Sequence, residues 1–93
     1  QKITGSGLAD FAQCLTDKGA IMYGADWCPH CNEQKERFGE AFANINYVEC
    51  ETNKAICRAA GIPGYPTWVI NEKQYSGIQS FSALAKYSGC EFA

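Results

Sequence analysis

The sequence predicts an α/β domain: a small central mixed β-sheet, made of a parallel β-α-β unit plus an antiparallel hairpin, with helices flanking it. Three observations carry this. Short apolar runs at residues 20–23 and 45–49 bracket a polar helical segment that starts near Cys28. Strands joined in this way lie parallel, with a right-handed crossover. Further on, Trp68-Val69-Ile70 and Gln74-Tyr75-Ser76 flank Asn71-Glu72-Lys73, which reads as a hairpin turn.

Each element has its own signal. Residues 1–6 are small and polar around Ile3 and read as an edge strand or a tail. Leu8, Phe11, Ala12 and Leu15 mark one face of a first helix, with Ser6 as its N-cap and Gly19 where it stops. The helix from about Cys28 puts Glu33, Lys35, Glu36 and Arg37 on a solvated face. Cys31, Phe38 and Phe42 fall near the other side, and Gly39 kinks or interrupts the helix. A short helix over 53–60 ends at Gly61, and Gly64-Tyr65-Pro66-Thr67 punctuates the chain before the hairpin. Ser80 caps a last helix whose Phe81, Leu84 and Ala85 point inward, and Gly89 ends it.

Ninety-three residues make one small domain, 1–93, without linker, repeat or low-complexity segment. A chain of this size buries about 60–65 % of its unfolded surface, so covalent staples matter. There are six cysteines, at positions 14, 28, 31, 50, 57 and 90. That density argues for an oxidising compartment, because cytosolic glutathione keeps surplus thiols reduced. The net charge of −2, with no basic run, argues against nucleic acid and anionic membrane surfaces as partners. No stretch approaches the roughly 20 apolar residues of a membrane span. The chain opens on Gln1, which fits loss of a signal peptide or membrane anchor, or simply the boundary of a longer chain.

The stretch that carries chemistry is Cys28-Pro29-His30-Cys31. Two thiols three positions apart at a helix start can close an easily reduced disulfide. The free N–H groups and positive end of the helix favour a thiolate there. A lone C-x-x-C is weak evidence. Here it follows a strand, and Tyr65-Pro66-Thr67 and another strand come about 35 residues later.

Trp27-Cys28-Pro29-His30-Cys31 with Ile62-Pro63-Gly64-Tyr65-Pro66-Thr67 resembles the active-site motif and cis-proline loop of the thioredoxin family. The resemblance implies a thioredoxin fold and thiol–disulfide exchange. Tyr23-Gly24-Ala25, Gln34-Lys35, Phe38-Gly39, Tyr47-Val48-Glu49-Cys50 and Trp68 narrow it. They are similar to the DsbA-like domain fused to bacterial and plant homologues of vitamin K epoxide reductase, which faces the oxidising side of the membrane. By this resemblance Cys28 is the nucleophile and Cys31 the resolving thiol. Pro29 and His30 tune the thiolate, and Trp27, Tyr65 and Pro66 meet the client peptide. The partners implied are protein thiols and disulfides and a vitamin K epoxide reductase-like membrane enzyme, and the redox pair itself needs no cofactor. Two features depart from relatives. Met22 stands about where cytosolic thioredoxins carry a buried aspartate, leaving water or another group such as Glu49 to take the Cys31 proton. DsbA's helical insertion is missing, so any peptide groove is shallow.

The remaining cysteines leave alternatives. Cys50 and Cys57 read best as a structural disulfide stapling a strand end to the next helix, worth about 2–3 kcal/mol for so short a loop. A second redox relay is the rival. As zinc ligands beside Cys28 and Cys31 they are spaced too widely, so no metal site is expected. Subtraction pairs Cys14 with Cys90. The family architecture, with first and last helices on opposite faces, speaks against that pair, although a tail after Gly89 could wrap an edge; free or intermolecular thiols stay open. The expected function is extracytoplasmic thiol–disulfide oxidation. A reductase or isomerase and a non-catalytic disulfide-stapled binding module are the alternatives.

Overall fold

A computed structural model describes residues 5–92. Four helices, α1 (Gly5–Asp17), α2 (Pro29–Phe38), α3 (Lys54–Ala60) and α4 (Phe81–Ser88), and four strands, β1 (Ile21–Gly24), β2 (Tyr47–Glu49), β3 (Thr67–Ile70) and β4 (Lys73–Ser76), follow in the order α1-β1-α2-β2-α3-β3-β4-α4. Of the stretch expected as an edge strand or tail, residues 1–4 lie outside the described residues, while Gly5 and Ser6 belong to α1. Ser6 is therefore inside the first turn and does not cap it from outside.

The sheet order is β2-β1-β3-β4. β1 and β2 are parallel, with Met22 opposite Tyr47 and Gly24 opposite Glu49. β1–β3 and β3–β4 are antiparallel. The hairpin turn is tighter than its three polar residues suggest: Asn71 and Glu72 both take positive φ, 52° and 67°, and pairing resumes at Lys73. Two consecutive left-handed residues match the twist of the strands they join.

Strand alternation splits the core in two. Met22 faces a large cluster with Phe11, Leu15, Phe38, Trp68 and Leu84, whereas Tyr23 faces a smaller one with Cys50 and Cys57. α1, α2 and α4 thus share one face, and α3 covers the other. The expectation that the first and last helices lie on opposite faces is wrong for this chain. Phe11 of α1 meets Phe81 of α4 edge-on at 5.9 Å, and Phe92 of the tail reaches Phe11 at 5.0 Å. That neighbourhood brings Cys14 and Cys90 within 6.1 Å (Cα–Cα), and their sulfurs are bonded across 76 residues.

α2 stops at Phe38 because Gly39 takes φ 58°, and a 3-10 turn, Gly39–Asn44, carries the chain down to β2. One polar residue is fully buried on this path. Gln34, 0 % exposed, accepts from Trp68 Nε1 (3.1 Å) and Gln79 N (2.8 Å) and donates to Gln79 O (3.1 Å). Its amide pins α2 to β3 and to the segment before α4, with every polar atom satisfied as burial demands.

Candidate active site

β1 ends at Gly24, three residues turn the chain, and Cys28 occupies the N-cap position of α2 with extended backbone (φ −81°, ψ 122°). Pro29 follows at the first helical position, where its missing N–H costs no hydrogen bond. Cys28 therefore sits where the unpaired N–H groups of the first turn converge. Cys31 is one turn further in. Cys28 keeps 6 % of its surface exposed and Cys31 none, and the two sulfurs are unbonded, so the structure describes the dithiol.

The environments of the two thiols diverge. Burial alone would push the Cys28 thiol up, but the N–H of Cys31, the Cys31 thiol and the N–H of His30 together outweigh it and hold it below the ordinary value. As a thiol Cys28 makes no capping hydrogen bond; as a thiolate it meets those two N–H groups. The contribution of His30 on this side is its backbone, and its imidazole is exposed. For Cys31, burial dominates, and the Cys28 thiol and charge add to it. Its thiol is pushed up to about 11, against the Ala25 backbone and the Lys35 charge, which pull it down.

Across the junction, the Tyr65–Pro66 peptide is cis, and Cys28 Sγ lies 3.8 Å from the Tyr65 carbonyl oxygen, to which it donates. Trp27 is 64 % exposed and packs edge-on against Tyr65 at 6.1 Å between ring centroids. Cys28, Trp27, Tyr65 and the buried Pro66 thus meet in one place, as do Pro29 and His30 by their position in α2.

Reading the sequence missed a cluster centred on Asp26. Asp26 Oδ1 accepts from Lys35 Nζ (3.0 Å) and Tyr47 OH (2.8 Å), and the ammonium lies 4.1 Å from the centre of the Tyr47 ring. Lys35, with Tyr47 next, holds the Asp26 carboxyl below its usual range. Burial, then Asp26, pushes the Tyr47 phenol well above its own. Lys35 was expected on a solvated helix face, and Gln34 drew no expectation of burial. Lys35 is in fact half-buried and Gln34 fully so, while Glu33 and Arg37 do form an exposed pair at 2.8 Å. The nearest sequence signal was Asp26 two residues before Cys28, too little to find partners 9 and 21 residues away.

Glu49, named beside water as a group that could take the Cys31 proton, has both carboxylate oxygens engaged elsewhere. Oε2 accepts from Asp26 N (3.1 Å), and Oε1 accepts from Thr52 N and Thr52 Oγ1 (both 2.9 Å). Those bonds tie the loop before Cys28 to the end of β2 and hold the Glu49 carboxyl low, the Asp26 N–H contributing most. Cys50 and Cys57 are bonded to each other, with Cα atoms 5.7 Å apart, on the α3 face. Sulfurs bonded in this way are not available as metal ligands. Among the described residues no group of three or more His, Cys, Asp or Glu side chains is placed to hold a metal ion.

Comparison with known proteins matches residues 7–88 to the family model described as thioredoxin. The thiol-disulfide oxidoreductase LTO1 of Arabidopsis thaliana is 47 % identical over 87 residues, covering 84 % of this chain and 23 % of that protein. Protein disulfide isomerase-like 2-2 of Oryza sativa subsp. japonica is 33 % identical over 90 residues, covering 81 % of this chain and 24 % of that protein. The chain therefore spans about a quarter of the length of the curated relatives it matches. Among solved structures, mitochondrial thioredoxin 3 from Saccharomyces cerevisiae in its oxidized form superposes with a TM-score of 0.56 at 18 % identity, covering 88 % of each chain, and shows the same fold. With its mixed four-stranded sheet, its helices and a family model matched over nearly its whole length, the chain belongs to the thioredoxin family.

Proposed function

We propose that this domain is the exchange unit of an extracytoplasmic thiol–disulfide oxidoreductase, acting on protein thiols and disulfides through Cys28 and Cys31. The observation that carries the reading is the placement of two unbonded thiols one helical turn apart: Cys28 at the N-cap of α2 with its sulfur 3.8 Å from the Tyr65 carbonyl oxygen, and Cys31 fully buried one turn further in. The N–H groups of the helix start favour the Cys28 thiolate, while burial holds Cys31 as a thiol. The Cys28 thiolate attacks one sulfur of a partner disulfide. A Cys28–partner bond forms, the partner S–S bond breaks, and its second sulfur leaves as thiolate. Cys31, on losing its proton, attacks Cys28 Sγ, closing the Cys28–Cys31 bond and releasing the partner's other thiolate. In the opposite direction the Cys28–Cys31 disulfide takes two electrons from a client dithiol.

Interactions that favour the Cys28 thiolate stabilise the dithiol and make the disulfide the stronger oxidant. This supports oxidation of clients as the working direction. Reoxidation by a quinone-linked membrane enzyme of the vitamin K epoxide reductase type completes the cycle; the motif resemblance supports it, and the name of the Arabidopsis relative supports thiol–disulfide exchange itself. In this reading Trp27, Tyr65 and Pro66 receive the client peptide, His30 tunes the thiolate, and the Cys28–Cys31 pair works without a further cofactor. The two disulfides outside the active pair suit an oxidising compartment.

The test is the redox equilibrium of Cys28 and Cys31 against glutathione, read by alkylation and mass spectrometry. A potential of roughly −120 to −180 mV supports disulfide donation. A value near about −270 mV turns the electron flow round, to the reductase or isomerase reading that the isomerase name of the rice relative favours. Cys28→Ser abolishes exchange and Cys31→Ser accumulates the mixed disulfide; turnover of a dithiol substrate by Cys28→Ser would overturn the assignment. Replacing His30 makes the disulfide less oxidising, and an unchanged equilibrium removes its side chain from the mechanism.

A further inference from the structure

A cavity of about 310 Å³ opens on the α3 side of Tyr65, lined by Cys50, Lys54, Cys57, Arg58, Ile62 and Tyr65. Tyr65 joins this cavity to the reacting sulfur: it is one of the lining residues, and its carbonyl oxygen lies 3.8 Å from Cys28 Sγ. An extended peptide advances about 3.3 Å per residue. A peptide bonded to Cys28 and lying along Tyr65 therefore brings a side chain one to three positions from its cysteine over this cavity.

The lining is charged in one sense only. Lys54 and Arg58 stand four apart on α3 and share a face. No carboxylate lines the cavity. Arg58 has no ion pair among the described residues, and the one carboxylate near Lys54 is Glu51, at 3.9 Å and largely exposed. The positive edge runs against the net charge of −2 of the whole chain. The Cys50–Cys57 disulfide forms part of the cavity wall and ties α3, the helix that carries both cations, to the end of β2.

We propose that this cavity is a charge-selective subsite taking a carboxylate side chain of the client peptide, so that the domain prefers acidic sequence beside the reacting cysteine. The proposal rests on the exchange reading for its biological use, and its test separates the two. Three peptides, identical but for Glu, Gln or Lys at the positions flanking one cysteine, are activated as thionitrobenzoate mixed disulfides. With the Cys31→Ser domain, the Cys28 thiolate attacks the peptide sulfur. The Cys28–peptide bond forms, and thionitrobenzoate leaves with the electron pair and is read by its colour. The Glu peptide half-saturates the reaction at a concentration about three- to tenfold below the Gln peptide, as expected for two exposed charge contacts, with the Lys peptide weaker still. The preference shrinks in high salt. It disappears in Lys54→Gln/Arg58→Gln, and Arg58→Lys restores most of what Arg58→Gln loses. Glu and Gln peptides that half-saturate equally at low salt, or a preference that survives in the double variant, would overturn the subsite. The exchange reading is followed separately with free 5,5′-dithiobis(2-nitrobenzoate), and inertness of Cys28 towards that reagent counts against exchange alone. The cavity is then read without chemistry, by binding of the same peptides with serine in place of cysteine, followed by Trp27 fluorescence. There, too, equal binding of Glu and Gln forms overturns the subsite.

Discussion

A Cβ added to Gly24 would lie 2.7 Å from the sulfur of Cys31 and 3.3 Å from Cε1 of Tyr47. The Cys31 thiol is seated in the space that this side chain lacks. The strand cannot easily yield, because Gly24 O accepts from Cys50 N at 2.7 Å and β1 is an inner strand of the sheet.

Gly24→Ala is therefore expected to destabilise the reduced domain by about 1–3 kcal/mol, the range for overfilling a packed site. It also slows release of a mixed disulfide by moving Cys31 off its line to Cys28. Urea denaturation and the rate of partner release check the two effects, and wild-type values for both would mean that the backbone gives way.

The two thiols are expected to titrate apart. Alkylation of Cys28 rises through a step below the ordinary thiol value of 9.0, while Cys31 stays protonated until nearer 11. The linkage signs are opposite. The contribution of Cys28 is present above its ordinary value and lost as pH falls through its lowered one. That of Cys31 is complete below its ordinary value and lost as pH rises towards 11. The reduced domain is thus expected to lose stability between about 9 and 11. Lys35→Met, which removes a charge that draws Cys31 down, moves the upper step higher. One shared step for both cysteines contradicts this account.

Gln34→Leu leaves Trp68 Nε1 without its acceptor in a buried place and Gln79 N without its acceptor in a half-buried one. Unsatisfied buried donors cost about 1–3 kcal/mol each, so a loss of about 2–4 kcal/mol is expected in denaturant titration. The neighbouring Glu33→Ala removes half of an exposed pair and costs less than about 1 kcal/mol. Equal effects of the two substitutions would mean that Gln34 does not pin α2.

Replacing Cys14 and Cys90 by alanine is expected to cost about 2–4 kcal/mol, and more than replacing Cys50 and Cys57. The first pair closes a separation of 76 residues and the second one of 7, so the first restricts the unfolded chain more. Thermal melting of both double variants under oxidising conditions gives the order; the reverse order would mean that native packing outweighs loop entropy.

Much of this protein was decided within short stretches of chain. Strand, turn and helix signals from Ala20 to Gly89 depend on neighbours a few residues apart, and local backbone preference determines them. The same holds for Cys28 and Cys31, whose spacing at a helix start is itself a local property. Ser6 misled because a favourable cap residue can equally lie within a helix that starts one residue earlier. What only the tertiary structure decided are meetings across long separations. Phe11 against Phe81 puts α1 and α4 on one face and lets Cys14 reach Cys90. Gln34 finds Trp68 and Gln79, and Asp26 finds Lys35 and Tyr47. A glutamine or lysine on a polar helix carries no local mark of burial. Its environment is set by which elements pack against it, and that depends on how the whole sheet is covered.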